Sequence, residues 1–177
     1  MSYLSIPELL RVQNLRPDVL STLTAHMAEF ERQTGRKSYV PPDGGMRTHE
    51  RQRELYADSL DASGNVKPGY RAAPPGLSAH ETGAAYHLRI VGAAADTNDP
   101  GYETLAQIGE QLGMIAGKHF KTGTPDPEHF ETNESTDTRR RLWAEVVQRR
   151  LWRAALVVTG VGVGVGLWLK YRPRRRR

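Results

Sequence analysis

The chain has 177 residues, with 25 Lys+Arg against 20 Asp+Glu, 17 Gly, 11 Pro and no Cys. That length suits one domain with a real core plus a modest appendage, and a mean hydropathy of −0.60 excludes a multi-spanning membrane protein. The absence of cysteine excludes a disulfide scaffold, a thiolate metal site and a thiol nucleophile, so any bound metal must be held by His, Asp or Glu.

Charge is divided unevenly. From Arg139 onward twelve Lys/Arg meet one acid, Glu145, for a net +11, whereas residues 1–138 hold 13 Lys/Arg and 19 acids, for −6. An acidic body carries a basic tail, and nothing in the body suggests a nucleic-acid surface.

The start, Met1-Ser-Tyr-Leu-Ser-Ile-Pro7, lacks a basic stretch followed by an apolar run, so no signal peptide is expected. Leu9 to Thr34 has helical spacing through Leu10, Val12, Leu15, Val19, Leu20, Leu23, Met27 and Phe30, with a break expected near Arg16-Pro17-Asp18. Pro41 to Gly45 is a turn cluster, and Thr48 to Leu60 is helical again, starting near Arg47 or Thr48. Asp61 to Pro75 is loop. Ala84 to Val91 alternates as a short strand should. Tyr102 to Met114 predicts a helix with Leu105, Ile108, Leu112 and Met114 inward and Gly113 as its stop. Thr122 to Pro127 is a proline-bounded loop. The mixture predicts a small α+β domain over residues 1–134.

Residues 135–153 follow as a basic connector, in which Arg139 to Arg153 is amphipathic and includes Leu142, Trp143 and Val146. Ala154 to Leu169 is uncharged. As a helix those sixteen residues span about 24 Å, short of the roughly 30 Å hydrocarbon core. Trp152, Arg153, Lys170 and Tyr171 could extend it from the interface, so a transmembrane segment over 154–171 is expected, before a basic tail over 172–177. Gly160, Gly162, Gly164 and Gly166 permit close helix contact in lipid and hence self-association. The expected location is therefore a membrane. Only the terminal arginines invite anionic lipid or nucleic acid.

Six histidines occur, and three have informative settings. His80 and His87 lie in Ser78-Ala-His-Glu-Thr-Gly-Ala-Ala-Tyr-His87, and His129 lies in Asp126-Pro-Glu-His-Phe-Glu131. The residue four beyond His80 is Ala84, so this is no His-Glu-x-x-His helix. Gly83 breaks the segment instead, placing His80 on a loop and His87 on a strand. With His129 from a distant loop they make an open three-ligand metal site, leaving a fourth position for water. His26, His49 and His119 are expected to be surface or satisfied core residues.

These residues resemble the zinc D,D-carboxypeptidases and L-alanyl-D-glutamate endopeptidases, the VanY/VanX-like and phage endolysin group. That pattern is Ser-x-His-x-x-Gly-x-Ala-x-Asp, followed much later by Asp/Glu-x-x-His. The resemblance covers about residues 40–131 and extends to Gly45-Met-Arg47-Thr, Gln52, Leu55-Tyr56, Pro75-Gly76-Leu-Ser78 and Tyr102…Leu105…Ile108-Gly…Leu112-Gly113. It implies a Hedgehog/D,D-peptidase-like domain that cuts peptide bonds in bacterial peptidoglycan. One departure matters: the family's aspartate ligand falls on His87. Three imidazoles also bind zinc tetrahedrally, and a neutral ligand leaves the metal more positive. The family's tryptophan-rich stretch before the last histidine is also altered, to Ile115-Ala-Gly-Lys-His119-Phe.

The resemblance implies that His80, His87 and His129 hold Zn2+. Asp126 would be the general base, taking a proton from the attacking water and returning it to the leaving amine. Glu128 competes for that role but should point elsewhere if the backbone is extended. Arg47 would stabilise the oxyanion or grip a substrate carboxylate, and Ser78 and Glu131 would orient the ligands. Two alternatives stand beside the peptidase: an inactive metal- or murein-binding module, and a membrane-active structural protein built on the glycine-rich helix.

Overall fold

The structure, a computed structural model, describes residues 11–68, 70, 72–93, 98–120 and 125–148. Pro17 opens helix α1 (Pro17–Thr34), where its missing N–H costs nothing, and the expected break lies immediately before it. One face of α1 carries Val19, Leu23, Met27 and Phe30 at three- and four-residue steps, and all four are buried. Helix α2 (His49–Asp58) starts at Thr48, whose side chain accepts the Arg51 N–H at 3.1 Å as an N-cap.

Five short strands arise from the remaining apolar segments. β1 (Ser38–Tyr39) pairs antiparallel with β3 (Arg89–Ile90). β2 (Ala85–His87), β5 (His129–Thr132) and β4 (Met114–Ala116) form a second antiparallel sheet in the order β2-β5-β4. The single strand expected over Ala84 to Val91 is thus two. They part at Leu88 because the chain changes partner there, from β5 on the β2 side to β1 on the β3 side, while the Leu88 N–H still donates to the Glu128 carbonyl at 2.9 Å.

Helix α3 (Gly101–Gln111) packs on α1 and on β4. It buries Leu105 and Ile108 as expected, but Leu112 is 38% exposed and Met114 belongs to β4 rather than to the helix. The chain leaves the helix through Gly113 at φ 84°, so Leu112 falls at the turn rather than on the inward face.

The core lies between α1, α3 and the three-stranded sheet, and includes Leu23, Phe30, Tyr86, Leu105, Ile108 and Phe130. His26 is inside it. Its Nε2–H donates to the Leu105 carbonyl at 2.9 Å and its Nδ1 accepts from the Tyr86 hydroxyl at 3.0 Å. It is the satisfied core histidine expected, and burial pushes its pKa down to about 4.

Residues 136–148 are helical (α4), with Ser135 accepting the Thr138 N–H at 3.2 Å. This helix packs against the domain, with Arg139 on Glu131 and Trp143 stacked on His49. Among the described residues no helix is long and apolar enough to cross a membrane. The expected transmembrane segment over 154–171 and the tail over 172–177 lie outside the described residues, as do Leu10 and most of the Thr122 to Pro127 loop.

Candidate metal centre

His80 sits in a 3₁₀ turn (Ala79–Thr82), His87 ends β2 and His129 begins β5. The register of the β2–β5 ladder sets His87 directly opposite His129. His80 is brought in from the side by the turn, which ends at Gly83 with φ 70°. A Cβ on Gly83 would lie 2.9 Å from the Asn14 carbonyl oxygen, so both its backbone angle and its surroundings demand glycine. That is the physical content of Gly83 in the motif.

One ligand nitrogen from each of the three histidines lies within 4.8 Å of the others. His129 Nδ1 is 3.1 Å from His87 Nε2 and 3.3 Å from His80 Nε2. On two of the rings the opposite nitrogen is already engaged. His80 Nδ1–H donates to the Gly45 carbonyl at 2.8 Å, and His129 Nε2–H donates to Glu131 Oε2 at 3.1 Å. These bonds fix the tautomers, so His80 Nε2 and His129 Nδ1 present lone pairs toward one another. Facing lone pairs repel unless a cation lies among them, and three neutral imidazoles are a donor set that suits zinc. Burial holds the His80 and His87 pKa values well below the ordinary one, and the charge of Arg47 and the neighbouring rings act in the same direction. Both rings are therefore neutral, as ligation requires.

Asp126 stands beside this cluster, its Oδ2 4.0 Å from His87 Nε2. Its position is set by backbone: the Asp126 N–H donates to the Gly117 carbonyl at 3.0 Å, and the Asp126 carbonyl accepts from the His129 N–H at 3.1 Å. The Glu128 N–H closes on Asp126 Oδ1 at 3.3 Å. A Cβ on Gly117 would collide with the Asp126 carbonyl oxygen and lie 2.9 Å from His129 Cβ, so the bare backbone there lets the Asp126 turn approach. Glu128 lies in a turn rather than in extended backbone and lines the same cavity, where its carboxylate accepts from Arg89 Nε at 2.8 Å.

Arg47 is carried by the Gly44–Arg47 loop, which is tied to His87 and His80. His87 N–H donates to the Gly44 carbonyl at 2.7 Å, and Arg47 N–H donates to the His80 carbonyl at 3.1 Å. Its guanidinium is positioned by the Asp43 carbonyl at 2.9 Å and by Gln52 Oε1 at 3.4 Å. Gln52 is fully buried and donates to the Ala73 carbonyl at 2.8 Å, which explains why a polar residue is needed there. Burial draws the Arg47 pKa below its usual value, against the fields of Asp43 and Asp126.

Arg47, His80, His87, Asp126 and His129 all line one cavity of about 1030 Å³, together with Lys67 and Tyr70. Ser78 is buried and also lines it, but its side chain caps nothing; the Gly45 carbonyl and Glu131 are the groups bonded to the ligand histidines. Burial alone would raise the Glu131 carboxyl, but the bond from His129 and the neighbouring Arg139 hold it below its ordinary value. His49 and His119 lie outside the cluster, bonded to Glu81 and to Glu110, each at 2.8 Å. The Gly45 carbonyl was not legible in the sequence, since a backbone acceptor has no side-chain signature. Arg139 carried only the signal of a basic residue behind a Ser135-x-x-Thr138 helix start.

No protein-family model matches this sequence, and no curated protein does. Solved structures are similar. An L,D-carboxypeptidase DacB from Streptococcus pneumoniae shares 18% identity at a TM-score of 0.50, covering 76% of this chain and 74% of its own. The LD-carboxypeptidase LdcB, described with the molecular basis of peptidoglycan recognition, shares 17% at 0.52 over 76% and 74%. The vancomycin-resistance D,D-pentapeptidase VanY of the VanB-type cassette, in complex with Zn(II), shares 19% at 0.52 over 73% and 78%. The α+β domain of this chain therefore has the fold of the LD-carboxypeptidases and of the VanY D,D-pentapeptidase.

Proposed function

We propose that this protein is a zinc-dependent peptidase that hydrolyses amide bonds in peptidoglycan stem peptides, as a carboxypeptidase or an endopeptidase. The observation that carries the proposal is the convergence of His80, His87 and His129 with Asp126 at their side. The activities of similarly folded proteins supply the substrate class.

His80, His87 and His129 would hold the zinc, and its chemistry there is Lewis-acid polarisation of the scissile carbonyl and activation of water. Asp126 takes the proton of the attacking water and delivers it to the departing amine. Arg47, fixed by two acceptors, offers its remaining N–H groups to the oxyanion that develops or to a substrate carboxylate. The cavity wall adds Lys67, whose ammonium donates to the Asp58 carbonyl at 2.8 Å and so leaves donors for a peptide carboxylate. Incubating the zinc-loaded protein with purified sacculi, followed by mass spectrometry of the muropeptides, should show shortened stem peptides. Unchanged muropeptides would favour a murein-binding module instead.

The same proposal includes a membrane or virion setting. It is motivated by the uncharged run from Ala154 to Leu169 between arginine-rich flanks, with lipid contact and self-association through its glycines. Recovery of the native protein in the high-salt-washed membrane fraction or in virions supports this setting; recovery only in the cytosol contradicts it.

A further inference from the structure

The helix after the last strand, α4, borders the metal site at Arg139 and packs on the neighbouring surface at Trp143. On one side Arg139 Nη2 lies 2.6 Å from Glu131 Oε1, while the other oxygen of that carboxylate, Oε2, accepts from His129 Nε2 at 3.1 Å. Arg139 and Glu131 are largely buried, with side chains 18% and 14% exposed, so this pair is shielded from the screening that weakens surface ion pairs. On the other side Trp143 stacks on His49 with ring centroids 4.8 Å apart and planes at 20°, and lies against Gly76. His49 Nδ1 meets Glu81 Oε1 at 2.8 Å, and Glu81 Oε2 accepts the Gly76 N–H at 2.7 Å. Glu81 is fully buried and adjoins the ligand His80 in the chain.

Resting on the zinc-site function proposed above, we propose that Arg139 is a positioning residue for the metal centre. It orients the Glu131 carboxylate, and Glu131 in turn holds His129 in the tautomer whose Nδ1 faces the other two imidazoles. Trp143, one turn further along the helix, anchors the helix against His49 and Gly76. The helix over 136–148 is thus part of the working site rather than a mere connector. A carboxylate shared between one arginine and one ligand histidine is constrained at both oxygens. Released from Arg139, it can rotate away and leave the His129 ring free to exchange tautomers.

The test compares the full chain with Arg139→Ala, Arg139→Lys and Glu131→Gln. Zinc affinity is measured by competition with a chromophoric chelator, and the His129 tautomer by long-range ¹H–¹⁵N NMR of the metal-free protein. Arg139→Ala should weaken zinc binding about 10-fold, the lower end of the range for groups behind a metal ligand, and give a mixed His129 tautomer. Arg139→Lys, which keeps a cation beside Glu131, should recover part of both. Glu131→Gln keeps an acceptor for His129 and should fall between wild type and Arg139→Ala. Circular dichroism identifies a variant that fails to fold, and the comparison then rests on Arg139→Lys and Glu131→Gln. If folded variants match wild type in affinity and tautomer while wild type binds zinc, the positioning role is overturned and the metal site stands. Failure of wild type to bind zinc at all overturns both.

Discussion

His87 and His129 face each other across the β2–β5 ladder, with His87 Nε2 3.1 Å from His129 Nδ1. His87 stands where the similar motif has aspartate, and the strand pairing carries its imidazole into the three-histidine cluster. A one-residue slip of β5 would turn His129 to the other face and bring Phe130 out of the core.

Replacing His87 by alanine should reduce zinc affinity at least 100-fold, because a three-ligand site becomes a two-ligand one. His87→Asp should retain stoichiometric zinc, since it restores the ligand type of the similar motif. The carboxylate also neutralises part of the metal's charge, so the acid limb of the activity profile should move to higher pH. Metal analysis after dialysis and a pH–rate profile for each variant check this; loss of zinc from His87→Asp alone would count against His87 as a ligand.

Asp126→Asn should keep zinc and lose about 10²- to 10⁴-fold in kcat, the usual contribution of a positioned general base. A small effect on kcat would transfer the role elsewhere. Glu128 is a poor candidate because Arg89 holds it at 2.8 Å. Its substitution by Gln should lower stability before it lowers turnover.

Gly117→Ala should impair catalysis without removing any reacting group. The new methyl has no space against the Asp126 carbonyl and His129 Cβ, so the Asp126 turn must shift. A displacement of about 1 Å at a reacting group can cost on the order of 100-fold in rate. The expected pattern is a lower kcat with thermal stability reduced by only a few degrees.

Acid should destabilise the metal-free protein through its buried neutral histidines. The folded pKa of His26 is lowered from 6.5 to about 4, so between those values the unfolded chain binds the proton and the folded chain does not. Stability from this group is complete above pH 6.5 and falls as pH drops toward 4, by about 3 kcal/mol in all. His80 and His87 act in the same direction. Urea denaturation of the chelated protein at pH 7.5, 6 and 5 should show a falling midpoint, and zinc should offset part of the loss at the higher pH values. A midpoint independent of pH over this range would contradict it.

The helices were largely legible in the sequence because their apolar spacing is long enough to define a face, as in Val19, Leu23, Met27 and Phe30. The strands were harder. Three residues of β2 carry no period, and the split at Leu88 depends on two different partner strands, β5 and β1, far away in the chain. The three clustered histidines were readable from Gly83 and from the Asp126-Pro-Glu-His129 spacing. The groups that fix their tautomers were only half readable. Glu131 stood two residues from a ligand, but the Gly45 carbonyl has no side-chain signature. Arg139 resembled any other arginine of a basic stretch, and only packing distinguishes it. Leu112 misled because helical phase was extended one residue past Gln111, where the helix ends before the Gly113 turn.

The most direct measurement is zinc K-edge X-ray absorption on the purified full-length protein, with metal content determined on the same sample. One zinc per chain bound by three imidazole nitrogens, with the imidazole signal lost in a His80→Ala, His129→Ala double variant, is the expected result. A wild-type protein that takes up no zinc, or that keeps the same zinc environment after both histidines are removed, would contradict the metal centre on which the proposed chemistry depends.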